Sequence, residues 1–217
     1  MQIAIWILLG AALGAGCGWG ALFWARRMLE NRRRKGRLLT SLELILVIAS
    51  ALWGGITGFC AGGWLPMATA LAILTISVAV LVSDGLCRII PNPTVLAVFA
   101  LKLFLITAAL LKIPGAQPFE LLSALGGMVA CFLVFSLPGL LGKQVGAGDI
   151  KFASAMGFLL EFSGALLAVV IMGLLVLGYS MVQRKMPLLA FLKTDIPMGP
   201  FIAAGMMLAY MIGCLTL

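Results

Sequence analysis

Long apolar segments recur along the whole chain, and short segments that hold most of the charged residues separate them. About twenty apolar residues suffice for an α-helix to cross a bilayer, and the strand alternation of an outer-membrane barrel is missing. The pattern therefore predicts an all-α, polytopic integral membrane protein. The predicted spans cover residues 3–24, 41–60, 64–83, 94–111 and 119–141, and further apolar segments follow residue 149.

Residues 150–178 permit two interpretations, because they form either one long tilted helix or a short and a full span. The stretch "LEFSG" at 160–164 is the candidate break. The bias of basic residues toward cytoplasmic segments favours the break, since Arg184, Lys185 and Lys193 then lie inside. The count becomes about eight helices with both chain ends outside, and six to eight remain compatible with the pattern.

Charge refines this topology and does not indicate a nucleic-acid partner. The net charge is +8, but seven of the fifteen basic residues lie in "RRMLENRRRKGR" at 26–37. Such a block beside an apolar run fixes topology against anionic lipid. We therefore expect one membrane-embedded domain over residues 1–217, with a short basic cytoplasmic loop at 26–40. The first span is expected to be a retained signal anchor whose N-terminus lies outside.

The cysteine and histidine content bears on metal sites. The chain has no histidine, and its five cysteines are scattered without any C-x-x-C pair. A zinc site of the usual cysteine and histidine kind is therefore not expected.

Two of the three aspartates, Asp84 and Asp149, fall in predicted turns on the same, cytoplasmic, membrane face. Ionisable groups at membrane depth are costly and tend to be functional. Two carboxyl groups that share a proton can hydrolyse a peptide bond, one activating water and the other hydrogen-bonding the scissile carbonyl. The structural alternatives are an N-cap for Asp149 and a salt bridge from Asp84 to Arg88. We also expect Asp149 to be the more acidic, because it begins a helix and Asp84 ends one, although Arg88 opposes this order by stabilising the charge of Asp84.

Three motifs resemble those of the type IV prepilin peptidases, which are polytopic aspartyl proteases. "GAGD" at 146–149 resembles their G-x-G-D motif, and "DGLCRIIPN" at 84–92 resembles their first-aspartate motif. "IPMGPFIAAG" at 196–205 is similar to the proline–glycine–proline stretch that opens their last helix. A lone G-x-G-D would also admit presenilin-like intramembrane proteases, but the other two motifs favour the prepilin group.

The resemblance implies a function and roles for individual residues. Asp84 and Asp149 would be the catalytic pair, and no metal would be required. The substrate would be a pilin-like precursor, whose short basic leader is removed at the cytoplasmic face of a bacterial-type inner membrane while its apolar helix stays in the bilayer. Residues flanking the motifs would contact this substrate: Gly146, Gly148, Arg88, Pro91, Asn92, Lys151, Pro197, Gly199 and Pro200.

This sequence departs from the family pattern in one segment. Many members carry a cytosolic segment with paired C-x-x-C motifs and methylate the trimmed pilin with S-adenosylmethionine. Here that segment is reduced to the basic loop, so the chain resembles a shortened peptidase. S-adenosylmethionine would be a cofactor only if methylation is retained.

A non-enzymatic transporter or scaffold is a further alternative. Lys102 is expected to snorkel from mid-span, and Glu161 to lie in an outer turn.

Overall fold

The computed structural model describes residues 2–31, 40–60, 63–113, 120–140, 146–182 and 197–215, and these residues contain helices and no strand. Six of the helices are long and apolar enough to cross a membrane, and a seventh is shorter. The prediction of an all-α polytopic membrane protein is therefore confirmed. The helices are α1 (Gln2–Asn31), α2 (Thr40–Cys60), α3 (Trp64–Cys87), α4 (Asn92–Leu110), α5 (Leu121–Leu140), α6 (Ala147–Val182) and α7 (Gly199–Leu215).

The basic segment after the first span is more helical than the sequence suggested. We predicted a loop at 26–40, but α1 continues through Asn31, and α2 already begins at Thr40. The intervening positions 32–39 lie outside the described residues. Arg26 in the last turns of α1 pairs with Glu43 in the first turn of α2. Since α1 and α2 are antiparallel neighbours, this ion pair ties their ends together.

Glycines let α1 and α2 approach until their backbones touch. A methyl group built on Gly10 or Gly54 would overlap the main chain of the facing helix. Gly14 faces Ser50 and Gly54 in the same way. Helices in lipid associate through such close packing, because the surrounding hydrocarbon supplies no hydrophobic drive. Gly10, Gly14 and Gly18 of the first span are thereby assigned to packing, whereas Gly16 and Gly20 face open space.

The main chain of α6 reverses its direction at Glu161, where φ is 63° and ψ is −178°. A straight helix would place Asp149 and Tyr179 about 45 Å apart, at ~1.5 Å per residue. Instead, Tyr179 packs on Phe201 of α7, with ring centroids 5.5 Å apart, and Asp149 lies near the start of the same helix. We call residues 147–160 the first arm of α6 and residues 162–182 the second arm.

The predicted break within residues 160–164 is therefore confirmed. With the two arms counted separately, the described residues contain eight helical segments. The first arm packs against α5 and α4, and the second arm packs against α7. Of the helices long enough to span a membrane, α3 is the most buried and lies between α1 and α7. Large apolar side chains remain exposed on the outer helices, as expected for surfaces that face lipid.

Candidate active site

Asp84 lies in the last turn of α3, and its side chain is only 5% exposed. Its Oδ2 accepts a hydrogen bond of 2.9 Å from the backbone N–H of Gly199. Gly199 is the first residue of α7, whose leading N–H groups have no partner inside the helix. A buried carboxylate is costly unless it is hydrogen-bonded, and this contact supplies a donor from a distant part of the sequence.

Position 199 requires a residue without a side chain. A methyl group at this position would lie 2.8 Å from Oδ2 of Asp84 and 3.0 Å from its Cγ. The first distance is shorter than real Cβ atoms show, and the second is tighter than nine in ten of their contacts. The absence of a side chain therefore allows the start of α7 to rest directly on the carboxyl group.

The chain leaves Asp84 through a tight helix end. Arg88 adopts a left-handed conformation with φ of 51°, and its N–H donates to the Asp84 carbonyl at 2.8 Å. The positive charge of Arg88 acts on the Asp84 side chain. Pro91 then caps α4, and its carbonyl accepts hydrogen bonds from the N–H and the hydroxyl of Thr94. The segment between α3 and α4 is thus held by local bonds beside the carboxyl group.

Asp149 lies in the first turn of α6, and its side chain is half-buried. The carbonyl of Gly146 accepts the N–H of Asp149 at 3.0 Å and that of Ile150 at 3.3 Å, so Gly146 occupies the N-cap position just before the helix. The alternative that Asp149 is an N-cap is therefore wrong. Its carboxyl group folds back over Gly146, since a methyl group there would lie 2.5 Å from Oδ2.

The fold brings the two aspartates together, as the sequence predicted. The charges of Asp84 and Asp149 interact, although 65 positions separate them in the sequence. The start of α6 lies on the segment that follows α3, where Gly148 packs against Ile90. A methyl group on Gly148 would lie 3.2 Å from the Ile90 Cβ, which is a tight contact. Gly148 therefore permits the close approach that places Asp149 beside Asp84.

The premise for ranking the two acids does not hold in the structure. We expected Asp149 to be the more acidic because only Asp149 would face a helix N-terminus. Asp84 faces one as well, since it accepts from the first N–H of α7 and also feels the charge of Arg88. Both contacts favour a carboxylate on Asp84, and the bond from Gly199 comes from a helix more than a hundred residues away in sequence.

An open groove of about 450 Å³ lies between α4 and the first arm of α6, and Lys151, two residues after Asp149, is part of its wall. Asn92 and Lys151 line it, which places two of the predicted contact residues on one surface. Val95, Leu96 and Phe99 make the rest of its wall mainly apolar. Pro197 and Pro200 flank Gly199 at the start of α7, where both are half-buried.

Lys102 does not snorkel, so that expectation is wrong. Its side chain is buried and donates to Oε1 of Glu161 at 2.8 Å and to the Leu159 carbonyl at 3.3 Å. Glu161 marks the reversal of α6, as expected for a turn at the end opposite the aspartates. The sequence offered one signal for this contact, since Lys102 is the only charged residue of 94–111 and Glu161 the only acidic residue of 150–178.

Ile90 and Thr94 were not singled out from the sequence, although they pack at the site. Asp195, the third aspartate of the sequence, lies outside the described residues. Within the part of the chain that the structure describes, no three cysteine, aspartate or glutamate side chains gather in a group that could hold a metal ion.

Comparison with protein families gives one match, to the type IV leader peptidase family, over residues 70–181. This range is just over half of the chain and includes both aspartates. The chain belongs to the type IV leader peptidase family. Comparisons with curated proteins and with solved structures found no significant match. The resemblance inferred from the three motifs is therefore confirmed, and membership supports a prepilin-type peptidase.

Proposed function

We propose that this protein is an aspartyl endopeptidase that removes the short basic leader from type IV pilin-like precursors. The observation that supports the proposal is that Asp84 and Asp149 lie at one end of the helix bundle, near enough for their charges to interact, in a member of a leader peptidase family. Both carboxyl groups come from motifs that resemble those of the prepilin peptidases.

The contacts of the two acids suggest different roles. Asp84 would hold the carboxylate, because the Gly199 N–H and the charge of Arg88 stabilise it. It would accept a proton from water as the water oxygen attacks the scissile carbonyl carbon. Asp149 would carry the shared proton and donate a hydrogen bond to the carbonyl oxygen. Collapse of the tetrahedral intermediate would then break the C–N bond, and the leaving amine would take up a proton from the pair.

The distribution of charge supports a cytoplasmic orientation for this end of the bundle. Arg26, Arg27, Arg88 and Lys151 all lie at the end that holds the aspartates, whereas Lys112 lies at the other. The segments that join helices at the aspartate end also carry most of the remaining basic residues of the sequence. Because basic residues concentrate in cytoplasmic segments, the site would face the cytosol.

The groove beside Asp149 suits a substrate with an apolar helix. Its wall of Val95, Leu96 and Phe99 is apolar, and Leu96 is 69% exposed. The helix of a precursor could lie there while its basic leader remains at the cytoplasmic surface. Asn92 and Lys151, together with the other residues flanking the motifs, would contact the chain near the cleavage point.

The proposed peptidase reaction needs no cofactor. Water is the nucleophile, and the two carboxyl groups supply the proton transfers. S-adenosylmethionine would be needed only if the chain also methylates the trimmed product.

A cleavage assay tests the proposal directly. Detergent-solubilised protein is mixed with a pilin-like precursor, and the products are identified by mass spectrometry. Asp84→Asn and Asp149→Asn keep the side-chain shape but remove the acid, so each should lower kcat by about 10²- to 10⁴-fold. Asp195→Asn, a change of the same kind at the third aspartate, should leave cleavage intact. Full activity in either Asp84→Asn or Asp149→Asn would refute the dyad.

Two additions to this assay define specificity. Neutralising the basic residues of the precursor leader should weaken cleavage, whereas a presenilin-like protease that cuts within the bilayer would be indifferent. Adding S-adenosylmethionine reports on methylation, since a methylated product gains the mass of one methylene unit.

A further inference from the structure

An ion pair between a buried lysine and a partly buried glutamate lies at the end of the first arm of α6 that is opposite the aspartates. Lys102 of α4 has a side chain only 6% exposed and contacts Glu161 at 2.8 Å. Charged groups inside membrane proteins are costly and rarely lack a function. The mechanism proposed above does not use this pair.

The pair occupies the place where α6 breaks. Leu159 lies two residues before the non-helical Glu161, among the last carbonyls of an arm that cannot pair them internally. Lys102 donates to the Leu159 carbonyl and to the Glu161 carboxylate at once. A single side chain of α4 therefore caps the first arm and neutralises the charge at its end.

This contact fastens α4 to the first arm at a defined height. At the site end, Pro93 of α4 and Lys151 of α6 line the same groove. Between the two ends, Phe99 packs on Phe158 with ring centroids 5.5 Å apart. The rest of the contact between α4 and this arm is largely apolar, whereas the bonds from Lys102 to two acceptors specify one register of the arm against α4.

We propose that Lys102 and Glu161 are positioning residues that set the height and rotation of the first arm, and hence the place of Asp149 beside Asp84. The inference rests on the proposed peptidase function. A shift by one residue moves a helix by about 1.5 Å and turns it by about 100°. The Asp149 carboxyl group would move with the helix and would no longer lie beside Asp84.

The test replaces both partners, because a variant that lacks one leaves an unpaired charge in the bilayer and can fail to fold. Lys102→Met with Glu161→Met removes both charges and keeps the apolar volume. Replacing a buried ion pair in this way is often neutral or stabilising. The thermal midpoint in detergent should therefore be unchanged or higher. Because a misplacement of about 1 Å can cost 10²-fold, kcat should fall about 10- to 100-fold while KM stays within about twofold.

Ser154→Ala is the matched control on the same arm. The Ser154 hydroxyl donates to the Ile150 carbonyl of its own helix, so its loss should leave kcat unchanged. A second readout is independent of activity. Leu96→Cys and Lys151→Cys are introduced into a chain whose native cysteines are replaced, and both are labelled with nitroxides. The dipolar broadening between the two labels reports the distance across the groove. The double methionine variant should change this broadening, and Ser154→Ala should not.

The outcomes separate this inference from the proposed function. Loss of kcat with unchanged KM and altered broadening supports positioning. Unchanged kcat or unchanged broadening overturns it. A fall in kcat that comes with a changed KM and a lower thermal midpoint overturns it as well. If the wild-type protein cleaves no precursor, the proposed function fails, and the broadening alone then decides whether the pair sets the register of the arm.

Discussion

Gly199→Ala tests whether the N-terminus of α7 holds the Asp84 carboxylate for catalysis. The change adds one methyl group at the first residue of the helix. In the present structure that methyl would lie 2.8 Å from Oδ2 of Asp84, whereas ordinary van der Waals contacts begin at 3.4 Å. Either the carboxyl group or the start of α7 must therefore move by several tenths of an ångström.

The size of the effect follows from the bond that this movement disturbs. The Gly199 N–H donates to Oδ2 at 2.9 Å in a buried setting. A hydrogen bond to a charged group contributes about 1.5–3 kcal/mol. Because about 1.4 kcal/mol corresponds to tenfold in rate, its loss in the transition state predicts a fall in kcat of about 10- to 100-fold.

The assay is precursor cleavage at saturating substrate, followed by mass spectrometry. Gly213→Ala is the control, because it lies in the same helix but a methyl group there meets nothing within 4 Å. It should keep full activity and gain up to about 1 kcal/mol of stability from helix propensity. If Gly199→Ala retained kcat within about twofold of the wild-type value, the contact with Asp84 would have no catalytic role.

Three further substitutions test the contact of Gly148 with Ile90, the packing of α1 on α2, and the ion pair between the ends of these two helices. Gly148→Ala should lower kcat by about tenfold, because its methyl would press on Ile90 and displace Asp149; unchanged kcat in the cleavage assay would contradict this. Gly54→Ala should destabilise the protein by about 1–3 kcal/mol in thermal unfolding, since its methyl meets a backbone that cannot yield, whereas Gly16→Ala faces open space and should not. Arg26→Ala removes an exposed ion pair and should change stability by less than about 1 kcal/mol; a larger loss would indicate a buried role.

The order of apolar and charged segments was enough to determine the class of protein and much of the path of its chain. Span length is dictated by the thickness of the bilayer, and the bias of basic residues sets the direction of each crossing. These two constraints predicted the break near Glu161 and placed Asp84 and Asp149 at one face. The motifs around the aspartates identified the family, because their residue types and order are local properties of the sequence.

Contacts between distant segments were decided only by the tertiary structure. No pattern near Asp84 indicates that the first N–H of α7 would reach it, since that depends on how α3 and α7 pack. The reason for expecting Asp149 to be the more acidic of the two residues failed because of this contact. Likewise, Lys102 was expected to snorkel, because a lone lysine in a span normally extends to water. Its partner became apparent only when the reversal of α6 brought Glu161 to the same height. Electrostatic environment depends on distances in space, which local sequence does not encode.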